Sequence, residues 1–189
     1  MQTLNLSRVT DEDRACAAKI ADRAKVNLRD CYQCGKCSAG CPMAEDMDYT
    51  PQQIMHFLQM GLVDKALEAR GPWVCAQCMV CSTRCPQNID ISAIMLEVRR
   101  ESRAQGKVVV HESEVFENSF INGVRKNGVS NEQYLAAAYN IKSGHFMQDM
   151  DSAPTMFAKG MIGLKHAKRP DASEVGEVVK KCLDKKEGE

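Results

Sequence analysis

Residues 31–42 read CYQCGKCSAGCP, and residues 75–86 read CAQCMVCSTRCP. In both stretches the cysteines follow the spacing Cys-x2-Cys-x2-Cys-x3-Cys, and a proline follows the last cysteine. A glutamine and a serine also match at the same offset, Gln33 with Gln77 and Ser38 with Ser82. The chain therefore contains a duplicated half-module, and we expect its two halves to be related by pseudo-two-fold symmetry.

This duplicated spacing resembles that of bacterial ferredoxins with two [4Fe–4S] clusters. In those proteins three cysteines of a motif bind one cluster, and the fourth, before the proline, binds the other cluster. The resemblance implies two crossed ligand sets: Cys31, Cys34, Cys37 and Cys85 for the first cluster, and Cys75, Cys78, Cys81 and Cys41 for the second. It also implies one-electron chemistry, with cluster assembly coupled to folding because each cluster joins the two halves.

Two other uses of cysteine fit the sequence less well. Zinc sites usually take two pairs of ligands separated by a long loop, and a third cysteine two residues on has no role in that geometry. A disulfide scaffold needs a higher cysteine density than 10 in 189 residues. Nothing at the N-terminus resembles a secretory signal, so we expect reduced cysteines and a cytoplasmic protein.

Composition narrows the class of partner. The 25 basic and 25 acidic side chains balance, which gives no electrostatic field for binding nucleic acid or a membrane surface. The apolar stretches are short and interrupted by charge, so we expect no membrane span. No dinucleotide-binding, phosphate-binding or triad motif can be recognised, and we predict no catalytic residue in this chain.

Outside the motifs nearly every segment has helical periodicity, and none alternates convincingly as a strand does. Thr10 and the pair Thr50–Pro51 are typical helix starts, and Gly71–Pro72 is expected to stop a helix. We predict a mostly α fold. An α-helical ferredoxin domain with two [4Fe–4S] clusters spans residues 1–107, and a helical C-terminal extension spans residues 108–189, with a partner-docking arm around 147–170.

Two further expectations concern burial. Apolar residues beside the motifs are expected to exclude water from the clusters: Met43, Met47, Trp73, Met79, Val80, Ile89 and Ile91. Cys16 and Cys182 lie outside the motifs. Cys182 shares a helical face with three valines, which predicts a buried structural thiol.

A helical two-cluster ferredoxin of this size resembles the C-type iron–sulfur subunit of heterodisulfide reductases. The resemblance rests on the two motifs, on the Thr50–Pro51 helix start, on Trp73–Val74 before the second motif and, loosely, on the segment KGMIGL at 159–164. It implies a relay subunit that receives electrons from a flavin- and iron–sulfur-containing subunit. It also implies a partner that reduces a disulfide through motifs with adjacent cysteines, in a heteromeric complex that can itself dimerise.

The chain contains no adjacent cysteine pair, so we expect it to be the non-catalytic electron-transfer subunit of an oxidoreductase complex that acts on a disulfide. Three alternatives stay open at this point. Related helical cluster domains occur in succinate dehydrogenases and anaerobic glycerol-3-phosphate dehydrogenases. The clusters could instead serve a structural or sensing role, or the chain could be an enzyme in its own right.

Overall fold

The structure, a computed structural model, describes residues 9–146, 148, 153–159 and 168–184. The chain divides into two compact units, Met1–Val110 and His111–Glu189. The described residues are helices joined by turns, and none of them lies in a β-strand. The predicted fold class, a mostly α ferredoxin with a helical C-terminal extension, is confirmed.

The helices follow in this order. The first unit contains α1 (Asp11–Arg23), α2 (Lys36–Ala39), α3 (Pro51–Met60), α4 (Val63–Leu67), α5 (Gly71–Val74), α6 (Val80–Thr83) and α7 (Ile91–Ala104). The second unit contains α8 (His111–Asn127), α9 (Glu132–Ser143), α10 (Ala153–Ala158) and α11 (Ala172–Asp184).

Capping side chains start the two helices that the sequence predicts most clearly. At the start of α1 the Thr10 hydroxyl accepts a hydrogen bond from the Asp13 N–H at 3.2 Å, and the Asp13 carboxylate accepts one from the Thr10 N–H at 2.8 Å. Thr50 and Gln53 form the same reciprocal pair at α3. Such a capping box satisfies backbone donors that the first helical turn leaves without partners.

Helix α7 is the centre of the first unit, where α1, α3, α4 and α5 all pack against it. Its apolar face and the helices facing it contribute the fully buried aliphatic and methionine side chains of the core: Ile20, Ile54, Met55, Leu67, Ile94, Met95 and Val98. A single change from Ile94 to Ala in such a core is expected to cost about 2–5 kcal/mol.

The segment between the motifs is helical, as predicted, but it is divided differently. Helix α4 already ends at Leu67, and Gly71 and Pro72 begin α5 instead of stopping a helix. Proline is favoured in a first helical turn, where its missing N–H is not needed. The prediction was wrong because a Gly-Pro pair marks a boundary without saying on which side the helix lies.

The Asp48 carboxylate fixes this boundary. Its two oxygens accept hydrogen bonds from the Arg70 and Gly71 N–H groups, each at 2.8 Å. Asp48 follows the first motif, while Arg70 and Gly71 precede the second. One side chain therefore ties together the chain segments that leave one motif and approach the other.

In the second unit α8 packs against both α9 and α11. Small residues form the contact with α11, because a Cβ atom at Gly176 would lie 2.8 Å from the Arg125 carbonyl oxygen and one at Gly128 would lie 2.9 Å from the Ala172 Cα. Of the three valines of α11, Val175 and Val179 are half-buried and Val178 is exposed, so the valine face is only partly packed. Cys182 is exposed within the chain, and the prediction of a buried thiol there was wrong.

The predicted docking arm at 147–170 lies largely outside the described residues, which include only Gln148, 153–159 and 168–170 of it. The KGMIGL segment lies outside them as well, apart from Lys159. Within the described part of the chain, no helix has both the length and the apolar character needed to cross a bilayer.

A buried carboxylate joins α1 to α7. Glu101 is 5% exposed, and it accepts hydrogen bonds from Lys19 and Arg23 at 3.2 Å each and from Gln105 at 3.1 Å. Burial by itself raises the pKa of Glu101, but the hydrogen bonds from Lys19 and Gln105 and the two positive charges outweigh burial, so the pKa lies below its usual range. The folded chain therefore stabilises the charged form.

Glu101→Gln should lower the free energy of unfolding of the cluster-loaded protein by about 1–3 kcal/mol, because charged hydrogen bonds are lost. A lowered folded-state pKa contributes stability that is complete above the unfolded-state pKa and is lost only as the pH falls through the folded-state value. The loss should therefore be the same at pH 6 and pH 8, measured by anaerobic denaturant titration with circular dichroism.

Glu68→Gln is the matched control, since Glu68 pairs with Lys107 at 3.4 Å but is largely exposed. An exposed pair of this kind contributes about 0–1 kcal/mol. Equal losses for the two variants would contradict the role assigned to Glu101.

Candidate metal centre

The eight motif cysteines have the same pattern of burial in both halves. The third cysteine of each motif is buried and sits in a short helix, Cys37 in α2 and Cys81 in α6. The second cysteine of each, Cys34 or Cys78, is exposed. The first and fourth are half-buried: Cys31, Cys41, Cys75 and Cys85. The sequence repeat is thus also a repeat in three dimensions.

The backbone turns at the same two positions in each motif. Gln33 and Gln77, two residues after the first cysteine, have φ values of +63° and +52°. The position after the second cysteine is also left-handed, with φ +79° at Gly35 and +62° at Met79. A side chain at positive φ is strained, so the second motif accepts a strain that glycine avoids in the first.

The matching serines join each motif to the helix that follows it. The Ser38 hydroxyl accepts a hydrogen bond from the Gln52 N–H in the first turn of α3, and the Ser82 hydroxyl accepts one from the Ser92 N–H in the first turn of α7, both at 3.0 Å. Ser82 also donates to Asp90, the N-cap of α7, at 2.7 Å. The repeated serine of the sequence is therefore a docking point between motif and helix.

The matching glutamines face cysteine sulfur. Gln33 Nε2 donates to Cys31 Sγ, and Gln77 Nε2 donates to Cys75 Sγ, both at 3.6 Å. Each glutamine amide is held by a side chain from the helix that its motif contacts, Gln52 in the first half and Ser92 in the second. Neither Gln52 nor Ser92 stood out in the sequence, because the residue types differ and the two do not align at the offset of the repeat.

Burial sets the acid–base state of the inner thiols. It raises the pKa of Cys81 to about 11 and moves the pKa of Cys37 and Cys75 upward as well. Free thiols with such pKa values are protonated at neutral pH. Metal binding needs the thiolate, so loading these positions must release protons, and the bound cations must supply the compensating charge.

Cysteines of one half affect the pKa values of groups in the other half. Burial is the main cause of the raised pKa of Cys75, and the charges of Cys41 and Cys78 raise that pKa further. Tyr32 likewise has a pKa raised by desolvation and then by Cys34 and Cys85. The packing agrees with this. Helices α2 and α6, which carry Cys37 and Cys81, contact each other, and both thiols are buried in one hydrophobic cluster against which Cys31, Cys41, Cys75 and Cys85 also pack.

Across the described residues, no three His, Cys, Asp or Glu side chains converge on one point as the ligands of a single metal ion do. A cubane makes a different demand, because each of its thiolates binds a separate iron. The donors here are all cysteines, amide groups face two of the sulfurs, and the surrounding side chains are apolar. This combination fits an iron–sulfur cluster.

Most of the expected apolar shell is in place. Met47, Ile89 and Ile91 are buried in the same hydrophobic cluster as Cys37 and Cys81, and Trp73 is also buried. Met43 packs against this cluster while half-buried, and Val80 is half-buried as well. Met79 is 54% exposed, so its assignment to the shell was wrong. Met79 follows the exposed Cys78 in the chain.

The part of the chain that contains both motifs matches a known protein domain. Residues 27–89, which span both motifs, match the 4Fe-4S dicluster domain. An iron–sulfur protein is thereby supported, and a pair of clusters is implied by the domain itself.

The resemblance to the C-type iron–sulfur subunit of heterodisulfide reductases is also confirmed, over about half of the chain. The chain is 33% identical to the C-type iron-sulfur subunit of the CoB–CoM heterodisulfide reductase of Methanopyrus kandleri, over 43% of this chain and 42% of that protein. It is 29% identical to the C-type subunit of the H2:CoB-CoM heterodisulfide,ferredoxin reductase of Methanothermobacter thermautotrophicus, over 54% and 55%. It is 32% identical to the C-type subunit of the ferredoxin:CoB-CoM heterodisulfide reductase of Methanosarcina acetivorans, over 52% and 42%. The chain spans about half the length of these curated relatives.

Gly35 and Gly71 are expected to tolerate an added methyl group differently. A Cβ at Gly35 would meet no atom within 4 Å, so Gly35→Ala should cost only the conformational strain of a left-handed residue, about 1–2 kcal/mol. Cluster loading should be retained, because Met79 already places a side chain at the equivalent backbone position. Iron content and unfolding free energy of the anaerobically purified protein measure both effects.

Gly71→Ala is the contrasting variant. Its Cβ would collide with the Tyr49 carbonyl oxygen next to the Asp48 bridge. We expect a larger loss of stability than for Gly35→Ala and incomplete cluster loading. Equal behaviour of the two variants would show that the close approach at Gly71 does not matter for bringing the motifs together.

Proposed function

We propose that this chain is the electron-relay subunit of a heterodisulfide reductase-type complex, passing single electrons between a flavin-containing subunit and a disulfide-reducing catalytic subunit. One observation carries the proposal. The buried cysteines of the two motifs, Cys37 and Cys81, lie on contacting helices in one hydrophobic cluster, and each motif reaches the surface at its second cysteine, Cys34 or Cys78. Two adjacent sites with separate openings suit a relay better than a single storage site.

The proposed ligand sets are crossed between the halves. Cys31, Cys34, Cys37 and Cys85 hold one [4Fe–4S] cluster, and Cys75, Cys78, Cys81 and Cys41 hold the other. Cysteines of both motifs lie in or pack against one hydrophobic cluster, which supports ligand sets drawn from both halves. When bound, the clusters supply reversible one-electron transfer.

The protein part of the site would then have three tasks. The eight thiolates bind and space the two clusters. Ile89, Ile91, Met47 and their neighbours exclude water from the buried side. The exposed ends beside Tyr32 and Met79, both more than half exposed, leave room for partner proteins to approach. None of these tasks requires a substrate pocket, and a non-catalytic role for the chain follows from the proposal.

Partners and location follow from the same resemblance. We propose a flavin- and iron–sulfur-containing electron donor and a disulfide reductase subunit with adjacent-cysteine motifs, in a cytoplasmic heteromeric complex that can dimerise. Within this chain, residues 1–107 would hold the clusters, and the extension at 108–189 would serve docking, with its arm around 147–170. The names of the relatives couple the CoB–CoM heterodisulfide to H2 or to ferredoxin.

Anaerobic purification of the protein from its own host, followed by identification of every co-eluting chain, tests the assignment to a complex. Recovery with a flavin subunit and an adjacent-cysteine subunit is expected. Recovery with a membrane-bound quinone-linked dehydrogenase would keep the cluster assignment and overturn the heterodisulfide reductase assignment.

Crossed ligation predicts which cysteines lose protection when one is removed. In Cys41→Ser, anaerobic alkylation followed by mass spectrometry should label the cysteines of the other motif, Cys75, Cys78 and Cys81, much faster than in the parent protein. In Cys85→Ser the faster labelling should appear at Cys31, Cys34 and Cys37. Each variant loses one of the four ligands of a cluster, which destabilises that cluster more than its neighbour.

Cys16→Ser is the control and should change no labelling rate in either motif. Faster labelling of cysteines in the substituted residue's own motif, instead of the other one, would contradict crossed ligation.

A further inference from the structure

The two halves of the dicluster domain share a polar network that the cysteine motif alone does not require. In each half, one glutamine side chain connects a cysteine sulfur to the first turn of a helix. Gln33 connects Cys31 to Gln52 in α3, and Gln77 connects Cys75 to Ser92 in α7. The network recurs with different residues on the helix side, so the repeated feature is the amide donor at the sulfur.

The orientation of Gln33 is fixed by backbone carbonyls. Gln59 Nε2 donates to the carbonyl oxygens of Leu28 and Cys31, each at 2.7 Å. Carbonyl groups only accept, so the Gln59 amide oxygen must point the other way, toward Gln33. Gln33 Nε2 donates to that oxygen at 2.6 Å, and its second N–H is directed at the Cys31 sulfur.

The opposite end of Gln33 agrees with this direction. Gln33 Oε1 accepts a hydrogen bond from Gln52 Nε2 at 2.8 Å. A flipped Gln33 would place amide NH2 groups against each other at Gln52 and two oxygens against each other at Gln59. The sulfur would then face an acceptor. The network therefore holds a donor toward Cys31.

Gln77 reaches the same orientation with fewer residues. Its Nε2 donates to the Ser92 carbonyl at 3.4 Å, and its Oε1 accepts from the Ser92 hydroxyl at 3.1 Å. Ser92 is 3% exposed and its own N–H is bound to Ser82, so its position is fixed by the motif it serves. The remaining N–H of Gln77 is directed at the Cys75 sulfur.

We propose that Gln33 and Gln77 are positioning residues that set the reduction potentials of the two clusters separately, Gln33 through Cys31 and Gln77 through Cys75. The inference rests on the ligand sets of the proposed function. Reduction adds negative charge to a cluster and its thiolates, so a hydrogen bond to a ligand sulfur stabilises the reduced form more than the oxidised form. Each glutamine therefore raises the potential of its own cluster.

The test uses methionine, which keeps the length of glutamine and removes its donor. Gln33→Met should lower one of the two one-electron couples and leave the other unchanged, and Gln77→Met should lower the other couple. A threefold to tenfold change in the reduction equilibrium constant corresponds to a shift of about 30–60 mV for one electron. The measurement is a potentiometric titration of the isolated, cluster-loaded chain monitored by electron paramagnetic resonance.

Gln105→Met is the matched control. Gln105 Nε2 donates to the sulfur of Cys16 at 3.7 Å, a contact of the same kind to a cysteine outside both motifs. Both couples should stay at their parent values in this variant. A shift in Gln105→Met equal to those at Gln33 and Gln77 would overturn the proposal, since it would show an effect that does not pass through a ligand sulfur.

Two further variants keep the result interpretable if a methionine variant loads poorly. Gln33→Glu retains the shape of the side chain but places a negative acceptor at the sulfur, so the same couple should fall further. Gln52→Ala leaves Gln33 in place and removes one of the groups that orient it, so that couple should fall by less. Unchanged couples in loaded variants, or a shift of the same couple by both glutamines, would overturn the proposal.

Measurements on the parent protein distinguish a failure of the tuning proposal from a failure of the proposed relay function. Two clusters per chain with two reversible couples are the requirement of the relay, and they are measured before any glutamine variant. If the parent meets this requirement and the glutamine variants leave both couples unmoved, only the tuning proposal fails.

Discussion

Buried cysteine sulfur is the constraint on which the first unit depends. Burial raises the pKa of Cys37, Cys75 and Cys81, so these thiols do not ionise unaided in the folded chain at neutral pH. Bound iron would supply the positive charge that makes thiolates stable there. The two inner cysteines share one hydrophobic cluster with the core residues of α3 and α7. Binding of clusters by these thiols would therefore couple cluster assembly to packing of the core.

Hydrogen bonds around the motifs also hold the cysteine ligands in position. Asp48 ties the exit of the first motif to the entrance of the second through two backbone N–H groups. Ser38 and Ser82 attach the motifs to α3 and α7. Gln33 and Gln77, whose amides contact these helices, donate hydrogen bonds to cysteine sulfur. Each contact joins a motif to a rigid element, which limits how far the ligands can move when an electron is added or removed.

The helical class, which the structure confirms, and the proposed cluster ligands were both predicted from local spacing in the sequence. The matched pairs Gln33–Gln77 and Ser38–Ser82 also indicated that the repeat extends beyond cysteine. Their partners could not be predicted, since Gln52, Gln59 and Ser92 become neighbours only through packing of helices distant in sequence. Periodicity reveals neither the left-handed backbone at Met79 nor the exposure of its side chain. Cys182 was predicted as buried because it shares a helical face with three valines, but only Val175 and Val179 of these are half-buried, and the last turn of α11, which carries Cys182, is exposed.

A relay requires two clusters side by side in one chain, each of which accepts one electron. Stepwise reduction of the isolated protein under anaerobic conditions, followed by electron paramagnetic resonance, measures both properties. We expect two one-electron couples and, after full reduction, a spectrum broadened by magnetic coupling between neighbouring reduced clusters. A single couple, or two reduced-cluster spectra that add without interaction, would contradict the proposed relay.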